Sequence, residues 1–431
     1  MGLEQSPPGF YADEARGAAH VMCLQEWGHD AAGVSYPLFA DGGEGYYSPI
    51  HIYSAYIWTA IFGHSISAFR AMSAFVTTLT IIGLWFLANQ LFGKSAALMT
   101  VLAATMSPWA FSVSRIAADD PTLFPMGMVW GIYFLIRGTK IWDAMLAGLL
   151  FSVAMYSYPP ARAVIPLLFI IIFWYQGFSR QTFTLLFMAV VVAVTTGLPW
   201  ILPILNGDMQ RRMNAVGIFS AKYMDHHHIE SIFGIIPVFL KNLLLHMSPV
   251  FLFWSGDANL RHSTQFTGEL GWVDILAVGM GIIFLIKSRV KKPWDRRLIF
   301  CLLGFLIGLV PAALTWERIP HALRSVGAWP FISLVSGYLL AIALERWAQF
   351  KNTLVIVSLV YSVLFFWNYF ETYPKLSKNV WDTPVKEIAI LAKEQNAWPE
   401  FLEITKTYPY MATRYFLMYY GGMTCKDTYP K

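Results

Sequence analysis

The chain has 431 residues, 56% of them hydrophobic and 13% charged, with mean hydropathy +0.50 and net charge +5. Soluble domains carry about 25% charged residues, so charges this sparse cannot cover a water-exposed surface, and a soluble enzyme is excluded. The modest net charge, without a Lys/Arg block interleaved with aromatics, also excludes a nucleic-acid binder. What remains is a mainly α, polytopic transmembrane helical bundle. Cys23, Cys301 and Cys425 are too few and too scattered to predict a disulfide scaffold or a zinc site; Cys301, inside an apolar run, reads as a small hydrophobe.

In chain order, residues 1–70 read as a first extracytoplasmic loop with surface helices. Its first 49 residues hold seven acids (Glu4, Asp13, Glu14, Glu26, Asp30, Asp41, Glu44) and one base, Arg16. No basic n-region and no apolar h-region precede them; the expectation is that a span ahead of "MGLEQSPPGF" has been lost. A bundle over 71–370 follows, since spans need about 20 apolar residues. Ten are expected: 71–92, 95–113, 121–137, 142–158, 160–176, 182–204, 271–287, 297–316, 321–345 and 351–370.

Lys94, Arg137, Lys140, Arg180, the run "KSRVKKPWDRR" (287–297), Arg346 and Lys351 all fall on one side of these spans, which is therefore predicted to be cytoplasmic. The long outer loop 205–270 contains an interrupted apolar stretch, 231–254, expected to lie as an amphipathic helix on the membrane surface. Residues 371–431 read as a partial extracytoplasmic C-terminal domain of α/β type. It should have a helix at 383–396, a strand near "FLEITKT" (401–407) and a helix at "ATRYFLMYY" (412–420).

The outer side gathers the chemistry. Asp13 and Glu14 stand in the first loop, and Asp119 and Asp120 in the second outer turn ("SRIAADDPTLF"). Two such pairs over one cavity would supply a general base and an orienting or metal-binding carboxylate; solvated loop acids, or a helix cap before Pro121, are the plainer reading. Arg115, Arg162, Arg261, His262, His321 and Arg324 share that side and suit a lipid phosphate, against the plainer reading of cations reaching to headgroups. Three consecutive histidines, 226–228, point in different directions on a helix and read as loop histidines rather than a metal site.

These segments resemble a family. "PPGFYADEA", "YYSPIHIYSAYIWTAIFG", "MSPWAFSVSRIAADD", "YSYPPARAVIPLL", "SGDANLRHSTQFTGELGWVD" and "IPHALRSVGAWP" occur in order along nearly the whole chain. Together they resemble membrane glycosyltransferases of the GT-C superfamily, bacterial relatives of protein O-mannosyltransferases and of the lipid A aminoarabinose transferase. The resemblance implies that Asp13 is the catalytic base with Glu14 its neighbour, and that Asp119 or Asp120 is the second-loop acid. It also implies that Arg162, His321 and Arg324 serve the donor phosphate. The family's first helix, before the "PPG" segment, has no counterpart in this sequence.

The expected function is therefore transfer of a hexosyl or pentosyl group from a polyprenyl-phosphate donor to a protein, glycan or lipid acceptor, with inversion. The expected place is the outer face of a prokaryotic inner membrane, with membrane lipids as partners and a divalent metal ion as the one cofactor the acids would suit. The alternatives are a secondary transporter, against which the edge position of the acids and the lack of an internal repeat both count, and an inactive lipid-binding remnant.

Overall fold

The computed structural model describes residues 2–42, 45–117, 121–138, 140–200, 205, 207, 214–288 and 295–428. It divides into two compact units: Met1–Phe75 with Ser114–Asp120 and Phe366–Lys431, and Val76–Val113 with Pro121–Phe365.

Helix α1 (Ala12–Trp27) carries Asp13 and Glu14 in its first turn, where the helix dipole favours anions. Gly28, left-handed, ends it by donating its N–H to Leu24 O. A short hairpin, β1 (Ala40–Asp41) and β2 (Tyr46–Tyr47), leads to α2 (Pro49–Phe62), whose Ser48 cap accepts the His51 N–H. Then come α3 (Ile66–Phe92), α4 (Lys94–Thr105), α5 (Pro108–Val113) and α6 (Leu123–Arg137). They are followed by α7 (Ile141–Ser157), α8 (Ala161–Gln176), α9 (Arg180–Gly197), α10 (Ala221–His226) and α11 (Ile235–His246). After α12 (Trp272–Ser288) and α13 (Arg296–Ala313) come α14 (Trp329–Arg346) and α15 (Lys351–Trp367). The chain ends in α16 (Tyr373–Ser377), α17 (Thr383–Gln395), α18 (Trp398–Ile404) and α19 (Tyr410–Gly421).

Six described segments are long and apolar enough to cross a bilayer: Ile66–Phe92, Arg180–Gly197, Ile235–Trp254, Arg296–Ala313, Val326–Arg346 and Ala348–Ser377. Shorter apolar helices accompany them, and the chain is an integral membrane protein with a mainly α fold. Ile235–Trp254, expected on the membrane surface, is thus also of spanning length.

Three expectations need correction. The span expected over 95–113 is two helices, because Ser107 accepts the Ala110 N–H and Pro108 opens a new helix at the break. The span expected from 321 begins at Val326, with a short 3-10 stretch leading into the α-helix at Trp329, and the residues before it form a turn. The strand expected at 401–407 is the second half of helix α18 followed by a turn from Thr405: Trp398, Phe401 and Thr405 are buried at helical spacing, and the described tail contains no strand.

In the second unit the core forms around Trp109, Phe124, Phe151, Trp329 and Phe331, all almost fully buried. At one end, Arg297 donates to Leu91 O at 2.9 Å, Arg296 to Trp174 O, and Gln176 to Leu135 O at 2.6 Å. These bonds gather the C-terminal ends of α3, α6 and α8 with the start of α13.

In the first unit Cys23 and Cys425 form a disulfide across 402 residues, a single bridge that the reading against a disulfide scaffold did not foresee. Helices α1 and α19 pack together here, and sequence distance conceals what the fold brings within 5.3 Å between Cα atoms. Buried Arg414 braces the same junction by donating to the carbonyls of Ala31 and Cys425. Replacing either cysteine with serine is expected to lower the stability of this unit by about 2–4 kcal/mol. Thermal unfolding with and without reductant reads the loss, and a Cys23–Cys425 cross-linked peptide should be found by mass spectrometry under non-reducing conditions.

Candidate functional site

The acidic lead-in is built around a buried ion pair. Arg70 is fully buried at the start of α3, and Glu14 faces it with its carboxylate equally buried. Arg70 Nε donates to Glu14 Oε1 at 2.9 Å and Nη2 to Oε2 at 2.6 Å, a bidentate pair. The remaining N–H groups reach Leu3 O, Pro7 O and Gly9 O at 2.7–2.9 Å, so all five guanidinium donors have partners. Phe10 and Trp381 cover the guanidinium with their rings. Gly9 is required where it stands, because a Cβ there would lie 1.8 Å from Trp381 O.

Glu14 Oε1 also accepts the Ala117 N–H at 2.9 Å, so α1 and the 114–117 segment meet in this unit. Asp119 and Asp120 lie outside the described residues. Arg115, in the same turn, donates to Ser6 O, Gly2 O and the Tyr369 hydroxyl, and lies over the Tyr369 and Phe370 rings. It organises the residues before α1. Asp13 is half-buried one position before Glu14. Its backbone carbonyl accepts the Tyr47 hydroxyl, and its carboxylate forms no hydrogen bond or ion pair among the described residues.

In the second unit, three of the sequence motifs converge. Trp109 of "MSPW" donates its backbone N–H to Glu269 O at 3.3 Å and its indole N–H to Ala322 O at 2.9 Å. It thereby joins the 255–271 loop to the "IPHALR" turn. Within that loop, Asp257 begins a run of side-chain-capped turns: Asn259 N–H to Asp257 Oδ1 at 2.8 Å, then Arg261 N–H to Asn259 Oδ1 at 3.0 Å. Gly256 has φ +70°, and a Cβ there would press on Ser263 Oγ and Glu269 Oε1.

His262 Nδ1 donates to Asp257 Oδ2 at 2.8 Å, and Ala322 N–H reaches the same oxygen at 2.8 Å. The His321 ring lies 4.6 Å from that of His262, with Nδ1 3.9 Å from Asp257 Oδ2. His246 Nε2 accepts the His321 backbone N–H at 2.9 Å, so its Nδ1 carries the proton and donates to Asn242 O. Arg324 donates to Thr315 Oγ1, Glu317 O and Glu317 Oε2. Arg162, at the start of α8, donates to Met155 O.

Burial pushes the His321 imidazole well below its ordinary range, and His262, Arg324, His246 and Arg318 push the same way. Burial also raises the Glu269 carboxyl well above the ordinary range, helped by Asp257 and opposed by the Asp257 N–H, which Glu269 Oε1 accepts at 2.9 Å. The six predicted cations are thus dispersed in their contacts, except that His262 and His321 meet over Asp257. Asp257 itself was not singled out in the sequence. Its signal was the turn chemistry of "GDAN", with His262 five residues on, a spacing that matches no helix face. The histidines at 226–228 are exposed; His226 is the last residue of α10 and His227 and His228 form the turn after it.

Residues 47–202 match the sequence model of the family described as dolichyl-phosphate-mannose-protein mannosyltransferase. Comparison with curated proteins gives no match. Among solved structures, ArnT from Cupriavidus metallidurans bound to undecaprenyl phosphate is 14% identical with a TM-score of 0.48, covering 97% of this chain and 73% of that one. The oligosaccharyltransferase of Archaeoglobus fulgidus in complex with zinc and sulfate is 14% identical with a TM-score of 0.44, over 93% of this chain and 53% of that one. AglB from the same organism, with an inhibitory peptide and a dolichol-phosphate, is 12% identical with a TM-score of 0.41, over 86% and 52%. Over residues 47–202, therefore, the chain is similar to the dolichyl-phosphate-mannose-protein mannosyltransferases, and the resemblance to membrane glycosyltransferases carried by its ordered motifs holds there.

Proposed function

We propose that the chain transfers a sugar from a polyprenyl-phosphate carrier to an acceptor hydroxyl on the non-cytosolic face of a prokaryotic inner membrane, with inversion. The observation that carries this reading is the state of the two first-loop carboxylates. Glu14 is locked into Arg70, whereas Asp13, beside it in the first turn of α1, has a carboxylate without a described partner. The match of residues 47–202 to a family named for a lipid-phosphate sugar supports the donor class. The Cys23–Cys425 disulfide supports an oxidising compartment for the unit that holds it.

In the reaction, Asp13 takes the proton of the acceptor hydroxyl as that oxygen attacks the anomeric carbon. The bond from that carbon to the phosphate oxygen breaks on the opposite side, and the lipid phosphate leaves with the electron pair. Cations stabilise the charge on the leaving group; Arg115, Arg162, Arg261 and Arg324 are the candidates for this role, whereas His262 and His321 surround the Asp257 carboxylate. Asp119 or Asp120 orients the acceptor.

Reconstituted proteoliposomes given a labelled lipid-linked sugar test the proposal. Label appearing on acceptor supports it. Solute movement without label transfer indicates a transporter instead, and retention of label on bound lipid indicates a non-catalytic lipid binder.

A further inference from the structure

We propose that Asp257, His262 and His321 form a binding site for a divalent transition metal ion. One ligand atom from each of the three side chains lies within 4.8 Å of the others. All three residues are at least nine-tenths buried, at 1%, 7% and 8% exposure. A tetrahedral ion with nitrogen and oxygen ligands at about 2.0–2.1 Å sets its ligand atoms roughly 3.3 Å apart. The observed separations from Asp257 Oδ2, 2.8 Å to His262 Nδ1 and 3.9 Å to His321 Nδ1, bracket that value. Ring rotations of about half an ångström at the nitrogens would equalise them, with His262 Nδ1 giving up the proton it donates to Asp257 and His321 Nδ1 turning from the Arg324 N–H it accepts at 3.3 Å.

The surroundings are those of a held ligand set. Asp257 is fixed by N–H groups from both segments that form the site, Asn259 on Oδ1 and Ala322 on Oδ2. The His321 backbone is fixed by His246, itself anchored on Asn242. Supporting bonds of this kind orient metal ligands and maintain their affinity. Trp109 closes the base by bonding both segments.

The chemistry also favours an ion over a bare phosphate. The centre of the cluster is a carboxylate, which repels phosphate oxygens, whereas two imidazoles and one carboxylate suit zinc and its divalent neighbours. Three protein ligands leave a coordination position open, the pattern of sites that take water or a substrate oxygen. The inference stands on these three residues and holds whether or not the chain transfers a sugar.

The test uses the full chain, purified in detergent without a polyhistidine tag. His226, His227 and His228 are replaced by glutamine to remove the exposed run as a competing binder. After chelator treatment, Co²⁺ is titrated and its visible absorption followed, then displaced with Zn²⁺. One saturable equivalent per chain is expected, with the absorption of a low-symmetry nitrogen–oxygen site. His262→Gln and His321→Gln should each weaken binding by more than about 100-fold.

No saturable binding in that background overturns the proposal, as does unchanged binding in both variants. Should neither variant fold, X-ray absorption of the Co²⁺-loaded background protein decides. Two imidazoles at about 2.0–2.1 Å support the site, and one or none overturns it. No donor lipid enters these measurements, so their failure and a failure of sugar transfer are separate results.

Discussion

An Asp13→Asn variant is expected to lose sugar transfer by about 10²–10⁴-fold, the usual contribution of a positioned general base, or about 3–5 kcal/mol of barrier. Donor binding should remain. The carboxamide matches the carboxylate in shape and is tolerated in the first turn of α1, and the Tyr47 bond falls on the Asp13 backbone rather than its side chain. The fold therefore keeps its contacts while the proton acceptor is lost. Two readouts separate the roles: turnover in proteoliposomes, and the amount of donor lipid copurifying with the variant by mass spectrometry. The expected pattern is a fall in kcat with lipid occupancy unchanged. Full turnover would remove Asp13 from the base role, and a loss of bound lipid would make it a donor ligand.

Much of the helical scaffold was legible because apolar runs are long and punctuated by chemistry with one meaning. Gly93 and Gly177 fall at helix ends, Ser179 caps α9, and Asp295 caps α13. Errors arose where local signals competed. The apolar "ALRSVGAWP" reads as helix, yet the bonds of Arg324 to Thr315 and Glu317 hold its start as a turn. "FLEITKT" has strand-forming residues, but Pro399 and the burial of Trp398 and Phe401 favour a helix.

At the site, charge and expected side nominate candidate residues. They could not show pairing, since a contact between residues 14 and 70, or 23 and 425, leaves no periodic trace. In the sequence Arg70 stands at the edge of an apolar run and Asp257 in a turn-forming stretch, and neither position marks itself as part of a site. Both are buried and hydrogen-bonded, which only coordinates reveal. The Glu14–Ala117 bond joins the first acidic segment to the turn that precedes Asp119 and Asp120, and nothing in the spacing of those residues signals it.

Removing one partner of the Glu14–Arg70 pair is expected to be the most damaging change to the fold. Glu14→Ala leaves a buried guanidinium facing only backbone carbonyls, and Arg70→Met leaves a buried carboxylate with three carbonyls deprived of donors. Breaking a buried pair from one side costs about 3–5 kcal/mol. Arg70→Lys should not rescue it, because an ammonium offers three donors where five are in use and cannot bond both carboxylate oxygens in a fork. Combining Glu14→Gln with Arg70→Met should cost less than the sum of the two single changes, since neither charge is then left alone.

Thermal unfolding of the five variants, the Glu14→Gln single change included, read beside transfer activity, separates scaffold from chemistry at Glu14. A Glu14→Gln protein that melts lower and loses activity in proportion to the folded fraction lost has Glu14 as a positioning residue for the helix bearing Asp13. A Glu14→Gln protein as stable as the parent yet inactive would place the carboxylate in the reaction, because the amide oxygen still accepts from Arg70 Nε and the Ala117 N–H, while the charge and the second acceptor, which faces Arg70 Nη2, are lost.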